Sequence, residues 1–278
     1  MNDNATSEPL LSVRDLDVVY RGGGFRRPSF HALHSVSLDV AAGETVGLVG
    51  ESGSGKTTLG RAVLGLAEVT GGSIHFDGTD ITHLGRRARR VLSRDIQVVF
   101  QDPYSSLNPA MTVESILTEP LTAQGVGRAE ASARVRQLLD QVGLAADAGR
   151  RYPREFSGGQ RQRVAIARAL AMRPRLIVCD EPVSALDLST QAVVLDLLID
   201  VQEQTGVSYL FVSHDLSVVR YISHRVAVML RGEIVESGEG DVVTSNPVHP
   251  YTQKLLLASP VAHPVRQAER RLSYAGLS

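Results

Sequence analysis

The chain has 278 residues, 43% of them hydrophobic, and its 29 basic and 30 acidic side chains nearly cancel. That length can bury a sizeable core, and a near-neutral total argues against a general polyanion binder while leaving room for a local basic patch. A single cysteine, Cys179, excludes an internal disulfide and any multi-cysteine metal or iron–sulfur centre, as suits a reducing cytoplasm.

The opening MNDNATSEPL has neither the basic lead nor the apolar core of a secretion signal. Residues 10–19 and 32–40 alternate as half-buried strands do, and a Gly- and Arg-rich loop, RGGGFRRPSF, joins them. TVGLVG (45–50) is a continuous apolar run ending in glycine, the pattern of a buried parallel strand, and a helix is expected from Lys56 to about Leu66. GGSIHFDGTDI reads as a hairpin and DIQVVFQ (95–101) as a further strand.

Helical patterning then takes over from about 111 to 172. Val135, Leu138, Leu139 and Val142 share one helical face, and Gly143 can end that helix. Strands return at RLIVCD (175–180) and SYLFVSH (208–214), separated by a helix with Val194, Leu197, Leu198 and Val201 on one face and Gly206 at its end. RVAVMLRGEIVESG (225–238) looks like a closing strand pair, followed by a proline-marked segment, NPVHPYTQKLLLASP, and a tail of low apolar content. Apolar strands alternating with amphipathic helices imply an α/β fold with a parallel sheet. No window approaches about 20 uninterrupted apolar residues, so no membrane span is expected.

Gly50, Glu51, Ser52, Gly53, Ser54, Gly55, Lys56 and Thr57, with Thr58 behind them, match G-x-x-x-x-G-K-[ST] between a buried strand and a helix. Glycines at that spacing let backbone N–H groups turn toward phosphate oxygens, and the helix start adds a favourable field. Lys56 would reach the β- and γ-phosphates and the Thr57 hydroxyl would ligate Mg²⁺. Only Lys56 and Lys254 are lysines, against 27 arginines, so this lysine has not followed the chain's preference for arginine. In LIVCDEP (176–182), Asp180 emerges from a buried strand, where ligands sit in open parallel sheets, and would hold Mg²⁺ directly or through water. Glu181 beside it is a candidate general base for the attacking water. His214 ends another apolar strand and could hydrogen-bond a γ-phosphate. His31 and His34 stand at odd separation on a strand and are expected to face opposite ways, which gives no metal set.

With FSGGQRQRVAIARAL (156–170) added, the ordered set of motifs resembles the nucleotide-binding subunits of ABC transporters over roughly residues 10–258. The resemblance implies a P-loop ATPase with a RecA-like parallel-sheet core, an N-terminal antiparallel β subdomain and an α-helical insertion at about 111–172. The nucleotide-binding domain would span 9–258, and 259–278 would form a tail with little to order it. Tyr20 would stack on adenine, and Gln101 would sense Mg²⁺ and the attacking water. Ser157, Gly158, Gly159 and Gln160 would serve the γ-phosphate of ATP held by an opposing subunit, with Asp187 at the dimer interface. Phe156 stands where the family more often has leucine, an apolar exchange.

The run from Gln101 to Pro109, DEPVSALD, SHDLSVV and NPVHPYTQKLLLASP resemble more narrowly the dipeptide and oligopeptide importer ATPases, the second of each pair. That implies ATP and Mg²⁺ as cofactors, a homologous but different ATPase as partner, two permeases and an extracytoplasmic binding protein, at the cytoplasmic face of the membrane. Related members import nickel or glutathione. The competing classes are a soluble ABC ATPase acting on nucleic acid, suggested by the basic run GRRARRVLSR (85–94), and a nucleotide-binding regulator without turnover. With a near-neutral total charge the basic run reads rather as a solvated face, and Glu181 with His214 speaks against a silent regulator.

Overall fold

The structure, a computed structural model, describes residues 8–21 and 29–258. The tail assigned to 259–278, residues 1–7 and most of the Gly/Arg loop fall outside the described residues. In chain order the elements are β1 (Leu11–Tyr20), β2 (Phe30–Val40), β3 (Thr45–Val49), α1 (Lys56–Val63), β4 (Gly71–Phe76), β5 (Thr79–Asp80), α2 (Arg86–Leu92), β6 (Ile96–Val99), α3 (Pro103–Ser106), α4 (Val113–Ala123) and α5 (Arg128–Gln141). There follow two 3-10 turns, then α6 (Gly158–Leu170), β7 (Leu176–Asp180), α7 (Leu188–Thr205), β8 (Ser208–Ser213), α8 (Leu216–Ile222), β9 (Arg225–Leu230), β10 (Glu233–Glu239), α9 (Gly240–Ser245) and α10 (Pro250–Ala258). The chain forms two compact units, residues 1–84 with 210–278 and residues 85–209, and passes from the second back to the first within β8.

The first unit holds an antiparallel sheet ordered β2-β1-β4-β5 and strands ordered β10-β9-β3-β8. All five residues of β3 are buried, as its uninterrupted apolar run requires. β3 runs parallel to β9, with Val46 opposite Arg225 and Val49 opposite Val228, and β10 closes antiparallel on β9. α1 is shorter than expected. Gly65 turns left-handed (φ 70°), its N–H donates to Ala62 O (2.9 Å) and that of Leu66 to Arg61 O (2.7 Å). This is a Schellman closure, which stops the helix at Val63.

The opposite-facing expectation for His31 and His34 is overturned: their ring centroids lie 3.8 Å apart. The cause is an irregular ladder. Val18 pairs with Leu33 but Val19 with His31, so β2 carries one extra residue, and Ser35 adds a left-handed step (φ 49°). An inserted residue shifts the two-residue period and brings an odd separation onto one side. His31 Nε2 also lies 2.9 Å from Asp17 Oδ1.

In the second unit β6 and β7 run parallel, Ile96 opposite Leu176 through Val99 opposite Cys179. Residues 111–172 are built mostly of α4, α5, the turns and α6. On α5 the buried face is Ala131, Val135, Leu138 and Leu139, with Val142 buried beyond it and Gly143 (φ 64°) ending the run. On α7 the buried face is Val194, Leu195, Leu198 and Val201, three of them as expected; Leu197 is only half-buried and Leu195 takes its place. Gly206 (φ 70°) ends α7 as expected.

Candidate nucleotide site

The loop after β3 is shaped around its own lysine. Lys56 opens α1 at 4% exposure, and its ammonium donates to Gly50 O (2.7 Å), Glu51 O (2.8 Å) and Ser54 Oγ (3.3 Å). Gly55 caps the helix at φ 107°, and a Cβ there would sit 2.8 Å from Ala32 O. No residue with a side chain fits that backbone. Ser54 N–H donates to Glu51 O (3.2 Å), closing the loop on itself, and the side chains of Glu51 and Ser52 stay exposed.

A glycine-bent loop, a buried ammonium and a following helix of eight residues form a donor set, which fits the phosphates of a nucleotide and would repel a cation. In the same unit Tyr20 ends β1 at 40% exposure, open enough to stack on a planar base. His214 lies exposed one residue past β8, before Asp215, which caps α8 by accepting from Ser217 N–H (2.7 Å).

The second unit carries the remaining candidates. Val99 pairs with Cys179, so the parallel strands β6 and β7 leave the sheet together and deliver Gln101 and Asp180–Glu181 to the same edge. Gln101 is exposed, and Asp102 behind it caps α3 by accepting from Tyr104 N–H (2.8 Å). Asp180 and Glu181 are half-buried.

Glu181 has φ 50°, a left-handed backbone that a non-glycine residue adopts at a cost. Its carbonyl accepts from Ser184 N–H (3.3 Å) and Ser184 Oγ (3.1 Å), so the following turn holds it there.

Two helix starts meet in this unit. Ser157 Oγ accepts from Gln160 N–H (3.3 Å) while Gln160 Oε1 accepts from Ser157 N–H (3.0 Å), a capping box at the head of α6. Asp187 caps α7 by accepting from Ser189 Oγ (2.6 Å), Thr190 N–H (3.0 Å) and Thr190 Oγ1 (2.8 Å). Those donors, the Ser189 hydroxyl first, hold the Asp187 carboxyl well below the ordinary carboxylate range.

The heads of α6 and α7 touch: a Cβ on Gly159 would fall 2.2 Å from Thr190 Cγ2, and one on Gly158 3.6 Å from Leu186 Cδ2. Two positive helix ends side by side concentrate a field suited to an anion. The carboxylate of Asp187 and both polar side chains of the capping box are thus engaged locally, as the Ser-x-x-Gln spacing allows.

Three features escaped sequence reasoning. Arg161 stacks its guanidinium 3.8 Å from the centre of the Tyr104 ring and donates to Pro153 O (2.6 Å), tying the segment after Gln101 to α6. Thr190 links the α7 cap to Gly159. Tyr251 reaches the phosphate loop, its Oη accepting from Glu51 N–H at 3.0 Å. The proline-marked motif containing Tyr251 was visible, but nothing in its spacing points to a loop 200 positions earlier.

The basic run falls on α2, none of whose residues is buried. Arg90 donates to Ala123 O (3.1 Å) and Arg94 to Gln124 Oε1 (2.8 Å), so part of this charge closes the end of α4. Among the described residues no cluster of three or more His, Cys, Asp or Glu could hold a metal ion.

Residues 33–184 match the family described as ABC transporter, more than half of the chain. The chain belongs to the ABC transporter family. It is 52% identical to the glutathione import ATP-binding protein GsiA of Escherichia coli K12 over 271 residues, 95% of this chain and 43% of the relative. It is likewise 52% identical to the oligopeptide transport ATP-binding protein OppD of Mycobacterium tuberculosis over 263 residues, 93% of this chain and 43% of that protein. The chain therefore spans less than half the length of these relatives.

Among solved structures it is similar to the ATP-binding cassette MJ0796 in a dimeric post-hydrolysis state bound to ADP and Pi. That match has a TM-score of 0.74 and 30% identity, covering 82% of this chain and 98% of that one. The α/β fold expected from the sequence is thus the fold of an ABC ATPase cassette.

Proposed function

We propose that this ABC transporter chain is the ATP-binding and hydrolysing subunit of an importer for di- or oligopeptides, with glutathione or nickel as alternative cargo. The observation that carries the reading is the phosphate loop, with Lys56 buried in it, on a chain 52% identical to proteins named for glutathione import and oligopeptide transport. Gly50–Thr58 would receive the phosphates of ATP and Tyr20 its adenine. The Thr57 hydroxyl, the Gln101 amide oxygen and the Asp180 carboxylate are hard oxygen donors of the kind Mg²⁺ takes. Bound there, the ion would neutralise charge on the β- and γ-phosphate oxygens. Glu181 would take a proton from the attacking water, and His214 would hydrogen-bond the γ-phosphate.

The adjoining heads of α6 and α7 offer a second anion site, and in this reading they serve ATP held by another cassette. Ser157, Gly158, Gly159 and Gln160 would cover the γ-phosphate across a dimer, with Asp187 beside it, so that ATP joins two subunits and hydrolysis parts them. The similar cassette MJ0796, dimeric with ADP and Pi, supports this arrangement. Among the described residues no helix is long and apolar enough to cross a membrane. Transport would then run through two partner permeases at the cytoplasmic face of the membrane. A different homologous ATPase and an extracytoplasmic binding protein would complete the assembly.

Phosphate release and binding of a fluorescent ATP analogue test the proposal together. Glu181→Gln should keep MgATP binding while turnover falls by about 10²–10⁴-fold; wild-type turnover in that variant would sink the general-base assignment. Ser157→Arg should spare binding to the isolated chain and abolish hydrolysis in the assembled transporter. Loss of binding in the isolated chain would contradict the cross-subunit reading.

A further inference from the structure

The segment Asn246-Pro247-Val248-His249-Pro250-Tyr251-Thr252 is fastened to β10 with few degrees of freedom. Glu236 on β10 accepts from Val248 N–H (2.7 Å) and His249 N–H (3.1 Å), one to each carboxylate oxygen. His249 Nδ1 accepts from Tyr251 N–H (3.1 Å), and Gln253 Nε2 donates to Pro247 O (3.0 Å). Pro250 opens α10 at a position where a missing N–H costs nothing. The result is a strap whose first helical turn projects Tyr251, half-buried, onto the phosphate loop.

Its contact falls on one particular peptide plane. The unit joining Gly50 to Glu51 presents its carbonyl to Lys56 Nζ (2.7 Å) and its N–H to Tyr251 Oη (3.0 Å), so it is gripped from both edges. Rotating this plane changes ψ of Gly50 and φ of Glu51, and glycine leaves the first of these two dihedrals unrestricted. A flipped plane would turn its carbonyl toward Tyr251 Oη and its N–H toward the Lys56 ammonium, breaking both contacts and the loop shape they hold. Were the Lys56 ammonium to turn to phosphate oxygens, the Tyr251 contact would be the remaining hold on this peptide.

We infer that Tyr251 is a positioning residue: its hydroxyl holds the Gly50–Glu51 peptide in the phosphate-accepting orientation, and the strap that carries it sets the nucleotide affinity of the loop. The inference rests on the nucleotide-site reading above. Removing the acceptor lowers the competent fraction of loops and weakens apparent affinity by that fraction, without altering the groups that act on water.

The test is Tyr251→Phe in the full chain, titrated with a fluorescent MgATP analogue and assayed for turnover, with thermal melting as a control. One net hydrogen bond corresponds to roughly 2- to 12-fold, so about fivefold weaker binding and a matching rise in KM are expected, with kcat and Tm near wild type. Glu236→Gln, which loosens the strap and leaves the phenol intact, should weaken binding in the same direction. Unchanged affinity in Tyr251→Phe overturns the assignment whatever Glu236→Gln does, and so does a loss of kcat and Tm at unchanged affinity. A wild-type chain that binds no MgATP would instead overturn the nucleotide-site reading, and this inference with it.

Discussion

Glu181 sits with φ 50° directly after a strand whose first four residues are buried. For an L-residue that conformation costs on the order of 1–2 kcal/mol, and Ser184 sustains it from the following turn. Alanine keeps the Cβ that makes the conformation costly, and glycine does not. Glu181→Gly should therefore be more stable than Glu181→Ala by about 1 kcal/mol in urea unfolding, the reverse of the usual order of these residues. Alanine as the more stable variant would show that the carboxylate is not held under backbone strain. A strand-end Asp-Glu pair is readable from LIVCDEP because four apolar residues announce a buried strand. The left-handed turn is not, since glutamate carries no preference for it and contacts such as those from Ser184 sustain it.

Between elements, the close approach of α6 and α7 decides how much room Ser157–Gln160 has at the head of α6. Thr190 cannot swing away cheaply from a Cβ at position 159, because its hydroxyl is bonded to Asp187 at 2.8 Å. Gly159→Ala should destabilise the protein by about 1–3 kcal/mol, as overpacking does, and Thr190→Ser should relieve part of that loss by removing the methyl. An additive double variant would mean that the clash is absorbed elsewhere. At this scale the apolar periods show the faces of α5 and most of α7, as well as the buried strand β3. They fail at β2, where one extra residue opposite Val18–Val19 brings His31 and His34 together. A bulge leaves no mark in an alternating pattern when the residue it adds, here Ala32, is itself buried. The early end of α1 is readable only afterwards, because a glycine two positions past a helix is common without closing it.

Across the molecule, the single thiol offers a global probe. Cys179 is fully buried in β7, where burial pushes its thiol up and leaves almost no thiolate at neutral pH. A thiol reagent should label no group in the native protein and one per chain in denaturant, at a native rate that tracks unfolding. Rapid native labelling would mean that β7 opens locally. The order of motifs made the ABC assignment legible, because each motif needs the strand or helix beside it. What stayed hidden is non-local: the Tyr251 contact and the pairing of β3 with β9 join segments that no short window contains.

That last feature bears on how the protein is made. The second unit is one continuous stretch, 85–209, whereas the first needs residues from both sides of it. During synthesis at about 5–20 residues per second, Tyr251 follows Glu51 by roughly 10–40 s. For most of that interval the phosphate loop is already translated while its neighbouring strand β9 is not, and Tyr251 comes later still. A nascent chain thus completes the unit bearing Glu181 and α6 first. The loop that carries Lys56 gains its last contact, Tyr251, only when α10 has been made, so a chain truncated before α10 has the loop without that contact.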